Sequence, residues 1–410
     1  MTPRRRPPSR TRAAVRRRRA ALAAVALTAL LLGVAIAALG DGGSDGGARA
    51  GGTAPGGAAP GEEAAPVPSA LEQARADVAR MPLQRQVGQL LIVSFDGTRA
   101  PGYVLGALRE GRVAGAILFG GNAPSVASVH ALTGSLERAT RGGPPPIVCL
   151  DQEGGAIRTL QFAPAAVGQA GQSTPAVAAR AATATARALH AVGVNVVLGP
   201  VADLAAGTRG SVMASRAYPG GAARVAASVR AAVSAYREAG VLPVAKHFPG
   251  LGGATTNTDQ AAARVGRTRA QLAADLQPFQ AALAVGVPLV MLGHARYPAL
   301  DAHRIASQSH AIATDLLRGE LGFDGVVMTD SLEAHAALAG TGARPPRDVG
   351  AAAVRSLRAG ADLLLMTGPG SLPLVRDAVI AQAHRSPAFR ARMLDAAARV
   401  LALRRTLPLD

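Results

Sequence analysis

The chain repeats one pattern eight times, and that repetition limits its fold more than any other feature. Short apolar runs occur at 89–95 (QLLIVSF), 115–119 (GAILF), 146–151 (PIVCLD), 194–200 (VNVVLGP), 242–248 (LPVAKHF), 288–294 (PLVMLGH), 325–330 (GVVMTD) and 362–367 (DLLLMT). Each is continuous in hydrophobicity instead of alternating, as a strand covered on both faces must be. Between them lie Ala-, Arg- and Leu-rich segments of helical period, among them 174–190, 222–239, 269–285 and 348–359. Strand and helix in eightfold alternation predict an α/β fold, a (β/α)8 TIM-type barrel. A doubly wound open sheet is the competing architecture. It usually carries a Gly-rich phosphate loop after its first strand, and SFDGTRAPG (94–102) is not GxGxxG.

At 410 residues the chain has room for one barrel and an N-terminal extension. Aromatic residues make up 3% and tryptophan is absent, so the core must be aliphatic. The net charge of +18 resembles that of a nucleic-acid-binding protein until it is located. Nine arginines fall within the first 19 positions, with no acidic residue among them. The remaining excess is spread along amphipathic helices without a run, so no nucleic-acid partner is expected. The single cysteine, Cys149, excludes an internal disulfide framework and any CxxC metal site, and its setting in IVCL reads as a buried thiol.

Residues 1–19 form a basic segment, followed at 20–39 by AALAAVALTALLLGVAIAAL, twenty residues without a charge. That length spans a bilayer as a helix, and the flanking arginines place the N-terminus in the cytoplasm. A single-pass anchor in the cell membrane with an extracytoplasmic body is therefore expected. The competing reading is a signal peptide cleaved after Ala35-Ile36-Ala37, which would give a secreted protein. Residues 40–68, rich in Gly, Ala and Pro, read as a flexible linker. The single globular domain is expected over 69–410, with Ser69 as N-cap of the helix that follows. Such a barrel buries its own core, so its domain is expected to be monomeric.

A barrel of this type presents its working residues at the C-terminal ends of the strands. Those ends carry Asp151, Asp203, Lys246 and His247, His294 and Asp330. Lys246 is the only lysine among 44 basic side chains. Where arginine otherwise serves every need for positive charge, a retained lysine marks a site that wants a compact ammonium. Two carboxylates across a pocket suit glycosidic cleavage, one attacking the anomeric carbon while a proton donor serves the leaving oxygen, about 5–5.5 Å apart in retaining enzymes. Asp330 ends a stiff apolar run and fits the nucleophile, with Lys246 or Arg216 as the cation that keeps it ionised. Asp151, Lys246 and His247 are candidates to hold sugar hydroxyls. GLGGATTNTD (250–259) reads as a mobile loop with Asn257 and Asp259 as its polar candidates.

Taken in order, LDQEGG, GVNVVLGPVADL, ASRAYPGG, AKHFPG and GFDGVVMTDSL resemble the catalytic domain of family 3 glycoside hydrolases, over residues 80–405. The branch they resemble most is that of the bacterial β-N-acetylhexosaminidases of peptidoglycan recycling. The resemblance implies a retaining hydrolase that works through a glycosyl–enzyme intermediate on a carbohydrate substrate, with no cofactor and no metal. By motif, Asp330 matches the nucleophile, and Asp151, Arg216, Lys246 and His247 match residues that hold the sugar in the first subsite.

Two departures stand out. Hexosaminidases of this branch read approximately KHFPGHGDTxxDSH, where the terminal His is the acid/base and the Asp two residues earlier supports it. Counted without gaps, those positions are Asp259 and Asn257 here. The family motif DQEGGRVQR ends in a substrate-touching Arg where this chain has Thr159, and Arg158 is the neighbouring candidate. Three readings follow: Asp259 is a carboxylic-acid donor, or the donor comes from elsewhere with His294 next in line, or the protein binds sugar and cleaves it poorly. The expected function is removal of terminal β-linked sugars, above all N-acetylglucosamine from peptidoglycan- or chitin-like oligosaccharides. The alternatives are a β-glucosidase of the same family and a catalytically impaired sugar-binding wall protein.

Overall fold

A computed structural model of the chain describes residues 68–338, 349–368 and 370–408. The expected basic segment, membrane or signal segment and most of the linker lie outside the described residues. None of the helices within them is long and apolar enough to cross a membrane.

All eight apolar runs contain strands, labelled here β1 (Leu91–Val93), β2 (Gly115–Ile117), β3 (Ile147–Leu150), β4 (Val196–Val197), β5 (Leu242–Phe248), β6 (Leu289–Leu292), β7 (Val326–Thr329) and β8 (Leu364–Leu365). They form one parallel sheet in the order β8-β1-β2-β3-β4-β5-β6-β7. A parallel bridge between Met328 and Leu363 joins the two ends, so the sheet closes as a barrel. The connecting helices include Pro175–His190, Ala222–Glu238, Arg269–Ala284 and Val349–Ala359, close to the bounds read from periodicity. Their starts follow capping chemistry. Thr174 accepts a bond from the Val177 amide ahead of Pro175, and Ser69 forms a reciprocal capping box with Glu72.

Apart from Lys246, His247 and Thr329 toward their C-terminal ends, the strands are apolar, because each side of the barrel wall has its own core. Ile92, Ile117, Cys149, Val196, Val244, Met291, Met328 and Leu365 pack together inside the barrel. Their strand neighbours, such as Leu91, Val148 and Val290, pack outward against the helices. Cys149 is fully buried, and that burial pushes its thiol pKa far up. From the C-terminal helix Pro387–Arg404 and the turn after it, Val400 and Leu407 join the inner core. The buried Arg404 donates to the carbonyls of Pro144 and Pro145, just ahead of β3. The inner core is thus covered at the N-terminal rim and open at the C-terminal one.

The β7–β8 seam carries a fully buried carboxylate. Asp362 accepts from the Val327 amide at 2.9 Å and pairs with Arg392 at 2.7 Å and with Arg318. Removing one partner of a buried ion pair costs about 3–5 kcal/mol. Because both arginines are partly exposed, the low end applies. Asp362→Ala is expected to lower the thermal unfolding midpoint by about 4 °C, measured by circular dichroism. A shift within experimental error would show that the seam does not depend on this carboxylate.

Candidate active site

At the C-terminal rim a cavity of about 450 Å³ opens above inward-facing Ile117, Leu198, Met291 and Leu365. Asp151, Arg216, Lys246, His247, Asn257, Asp259 and Asp330 line its walls. The residues singled out from the strand ends and the glycine-rich loop therefore meet in one place, with two exceptions described below.

The strongest grip in the cavity centres on Glu153, a residue the strand-end reading passed over. It lies beyond the end of β3, in a short antiparallel hairpin of Gln152–Gly154 with Ile157–Arg158. The turn uses Gly154 and Gly155, both at positive φ, with Gly154 packed so close to the Val167 carbonyl that a side chain has no room. Glu153 receives both nitrogens of a bidentate Arg216 fork, at 2.8 and 2.6 Å, and the Lys246 ammonium at 2.7 Å. Lys246 also donates to Asp151 at 2.5 Å. The Glu153 side chain is 2% exposed, and burial alone would raise its pKa. The charges and hydrogen bonds of Lys246 and Arg216 outweigh burial and hold it at about 2. Burial opposes the charge on Lys246 too, yet Asp151 and Glu153 keep its pKa above the ordinary lysine value. Two carboxylates and two cations thus form a charge-balanced unit, of which Asp151, Arg216 and Lys246 reach the cavity.

His247 and Asp203 form a second unit. The His247 Nδ1 lies 2.8 Å from Asp203 Oδ2, so the ring's other nitrogen is left for the cavity. Asp203 is fully buried, and its second oxygen accepts from the backbone amides of His247 and Leu251. It is therefore a clamp on the β5 end. The strand register shifts between Ala245 and Phe248, and this irregularity lets the consecutive residues Lys246 and His247 both line the cavity.

Asp330 follows β7, with its Oδ1 accepting from the Ser331 amide at 2.8 Å. Burial pushes its pKa up, but the charges of His247 and His294, the Ser331 amide and then Lys246 bring it below the ordinary value. Of the two cations expected beside Asp330, Lys246 contributes, after the histidines and the Ser331 amide. Asp259 stands at the mouth, exposed as a residue but with its carboxyl set against the cavity. Desolvation there and the negative charge of Asp330 raise its pKa against the pull of His294, His247 and Arg216.

Three expectations need correction. Arg158 does not reach the cavity, because its guanidinium turns back on its own loop and donates to the carbonyls of Gly155, Gln161 and Ala163. His294 is fully buried and occupied at both ring nitrogens, by Ser307 Oγ and the Ser331 carbonyl, each at 2.7 Å. It supports the backbone next to Asp330 from behind instead of touching a ligand. The loop 250–259 is tied down along its length. Ser211 Oγ donates to the Gly252 carbonyl, the Val212 amide to Ala254, and the amides of Ala336 and His335 to the carbonyls of Thr258 and Asp259. Glu153 carried only a weak sequence signal, an acid within two residues of a strand-end Asp and ahead of two glycines.

The family model described as "Glycosyl hydrolase family 3 N terminal domain" matches residues 82–403. A β-hexosaminidase of Stenotrophomonas maltophilia is 33% identical over 308 residues, covering 72% of this chain and 88% of that protein. Among solved structures, the β-N-acetylhexosaminidase of Beutenbergia cavernae superposes with a TM-score of 0.70 at 35% identity, over 80% of this chain and 99% of that one. A glycoside hydrolase family 3 β-N-acetylglucosaminidase from a Paenibacillus species superposes with a TM-score of 0.73 at 31% identity. That match covers 80% of this chain and 63% of the Paenibacillus chain, just under two thirds of its length.

Glu153 also links the site to acid stability. Its pKa falls from about 4.5 in the unfolded chain to about 2 in the fold, so it stabilises the folded state fully above about pH 4.5. That contribution, about 3 kcal/mol, is lost as the pH falls toward 2. Glu153→Gln is expected to be less stable than wild type at pH 7 and to show a flatter loss of stability between pH 4.5 and 2, followed by urea unfolding at each pH. Equal pH slopes in the two proteins would contradict the assignment.

Proposed function

Because the chain belongs to glycosyl hydrolase family 3, we propose that its cavity removes terminal β-linked N-acetylglucosamine, with Asp330 as nucleophile and Asp259 as acid/base. The glycosidase activity itself follows from the family and from the hexosaminidases that share the fold. The β-glucosidase and non-catalytic sugar-binding readings are not favoured by these relatives. One observation carries the assignment of roles: two carboxyls line a single cavity and their acidities are pushed in opposite directions. A lowered pKa keeps Asp330 ionised for attack on the anomeric carbon. A raised pKa favours the protonated Asp259 needed by the leaving oxygen. In the second half of the cycle the same Asp259 carboxylate takes a proton from the water that hydrolyses the glycosyl ester.

The sugar itself meets the paired unit of Asp151, Arg216 and Lys246, together with the free nitrogen of His247. Their hydrogen-bonding capacity is already fixed by Glu153 and Asp203, so little side-chain freedom is lost when a sugar binds. The substrate we propose is a peptidoglycan- or chitin-like oligosaccharide outside the cytoplasmic membrane. Support for that location comes from the nine arginines that precede the uncharged stretch 20–39, which suit a single-pass tether. Cleavage after Ala37 and secretion is the second route, and in either case we propose that the barrel acts as a monomer.

Asp259→Ala is expected to lower kcat on an unactivated N-acetylglucosaminide by about 100- to 10,000-fold, the usual contribution of general acid–base catalysis. The alkaline limb of the pH profile should disappear with it, since that limb reports loss of the Asp259 proton. On an aryl N-acetylglucosaminide whose leaving group needs no protonation, sodium azide should restore turnover and release the β-glycosyl azide, identified by NMR. A wild-type pH profile in the variant without azide rescue would remove Asp259 from the reaction.

A further inference from the structure

Six large apolar side chains stand exposed among the described residues, and their placement is not random. Leu374 follows β8, Tyr103 follows β1, Phe119 and Val126 follow β2, and Phe162 and Val167 follow β3. These four strands are neighbours in the barrel, and all six side chains belong to segments leaving their C-terminal ends. None follows β4 to β7, the arc that supplies Arg216, Lys246, His247, Asp259 and Asp330. Half of the six are aromatic, Tyr103, Phe119 and Phe162, whereas the chain's other eight aromatic side chains are buried. Exposed apolar side chains gathered on one side of a domain mark a place where something binds.

Phe119 ties this crescent to the cavity. It is 37% exposed and lines the same walls as Asp330. Its loop is held firmly, since the Phe119 amide donates to Asn122 Oδ1 at 2.8 Å and Asn122 Nδ2 donates to the carbonyls of Phe95 and Gly97. Tyr103, 57% exposed, borders a second cavity of about 280 Å³ with Ser94, Met366 and Gly368. Thr367, between Met366 and Gly368, lines the catalytic cavity, and Gly368 lies tightly against Glu333, which lines it as well. The two cavities therefore share a wall.

We infer that this crescent, running from Phe119 to Tyr103, binds the sugars on the leaving-group side of the scissile bond. The inference rests on the hydrolase reading of the cavity. An enzyme that takes a terminal sugar into a blind-ended pocket must let the rest of the glycan leave through the mouth, and among the described residues the exposed apolar side chains gather on one side of it. A β-linked pyranose offers a flat face of C–H groups that stacks on an aromatic ring, while its equatorial hydroxyls stay in water. Rings held in place ahead of binding suit that partner better than a fluid lipid surface does, and the continuity with the catalytic cavity favours the glycan over a membrane.

The test compares kcat/KM on β-linked N-acetylglucosamine oligomers of two to five sugars with that on N-acetylglucosaminyl β-fluoride, which has no sugar leaving group. In wild type the oligomer-to-fluoride ratio should rise with length up to the tetramer. Tyr103→Ala should lower the tetramer-to-fluoride ratio about tenfold, mainly through KM, and Phe119→Ala should lower the dimer-to-fluoride ratio by a similar factor. Ratios within twofold of wild type in both variants would overturn the inference, as would unchanged ratios with loss of binding to phosphatidylglycerol vesicles. Failure of wild type to hydrolyse the fluoride at all would overturn the hydrolase reading and this inference together.

Discussion

A carboxylate sealed away from water has to be paired, and Glu153 is paired with two cations at once. Much of the catalytic cavity is organised around that requirement. Arg216 comes from the segment after β4 and Lys246 from β5, yet both are drawn to one buried acid in the hairpin after β3. Asp151 then closes the unit from the end of β3. The outcome is a rigid set of donors and acceptors that need not reorganise when a sugar arrives. It also explains why the chain's only lysine survives here. Lys246 reaches two carboxylates with a single compact head, whereas the guanidinium fork of Arg216 uses its two arms on Glu153 alone.

From that unit the rest of the rim divides into charged and apolar arcs. The charged arc holds the terminal sugar and the two reacting carboxyls, and His247 and His294 set the acidity of Asp330 from opposite roles. His247 faces the cavity with Asp203 behind it, while His294 is sealed beneath Ser331. Asp259 experiences the same neighbours with the opposite result, because the charge of Asp330 adds to its desolvation. One set of charges thereby separates two chemically identical side chains into a nucleophile and an acid.

Much of this was legible in the sequence, for physical reasons. The eight strands could be read because burial on both faces makes each of them continuously apolar, and a barrel forces strand ends onto one rim. Asp151, Lys246, His247 and Asp330 followed from that rule. Glu153 did not, because it sits beyond a strand end in a two-stranded turn that no periodicity announces. Arg158 was misjudged since a one-residue offset in a hairpin turns a side chain to the other face. The glycine content of 250–259 suggested mobility, whereas those glycines serve close packing. At Gly252 a side chain would collide with the Leu204 carbonyl, and at Gly250 with Asp275. His294 was a strand-end residue like the others, and only its contacts with Ser307 and Ser331 show that it lies behind the cavity wall.

The account stands or falls on covalent attack by Asp330. A 5-fluoro-N-acetylglucosaminyl fluoride slows hydrolysis of the glycosyl–enzyme more than its formation, so the intermediate accumulates. Mass spectrometry of the trapped protein should find one sugar per chain, and digestion should place it on the peptide that contains Asp330. A label on another residue, or steady turnover of the natural linkage with no covalent adduct and assistance from the substrate's own acetamido group, would contradict the account.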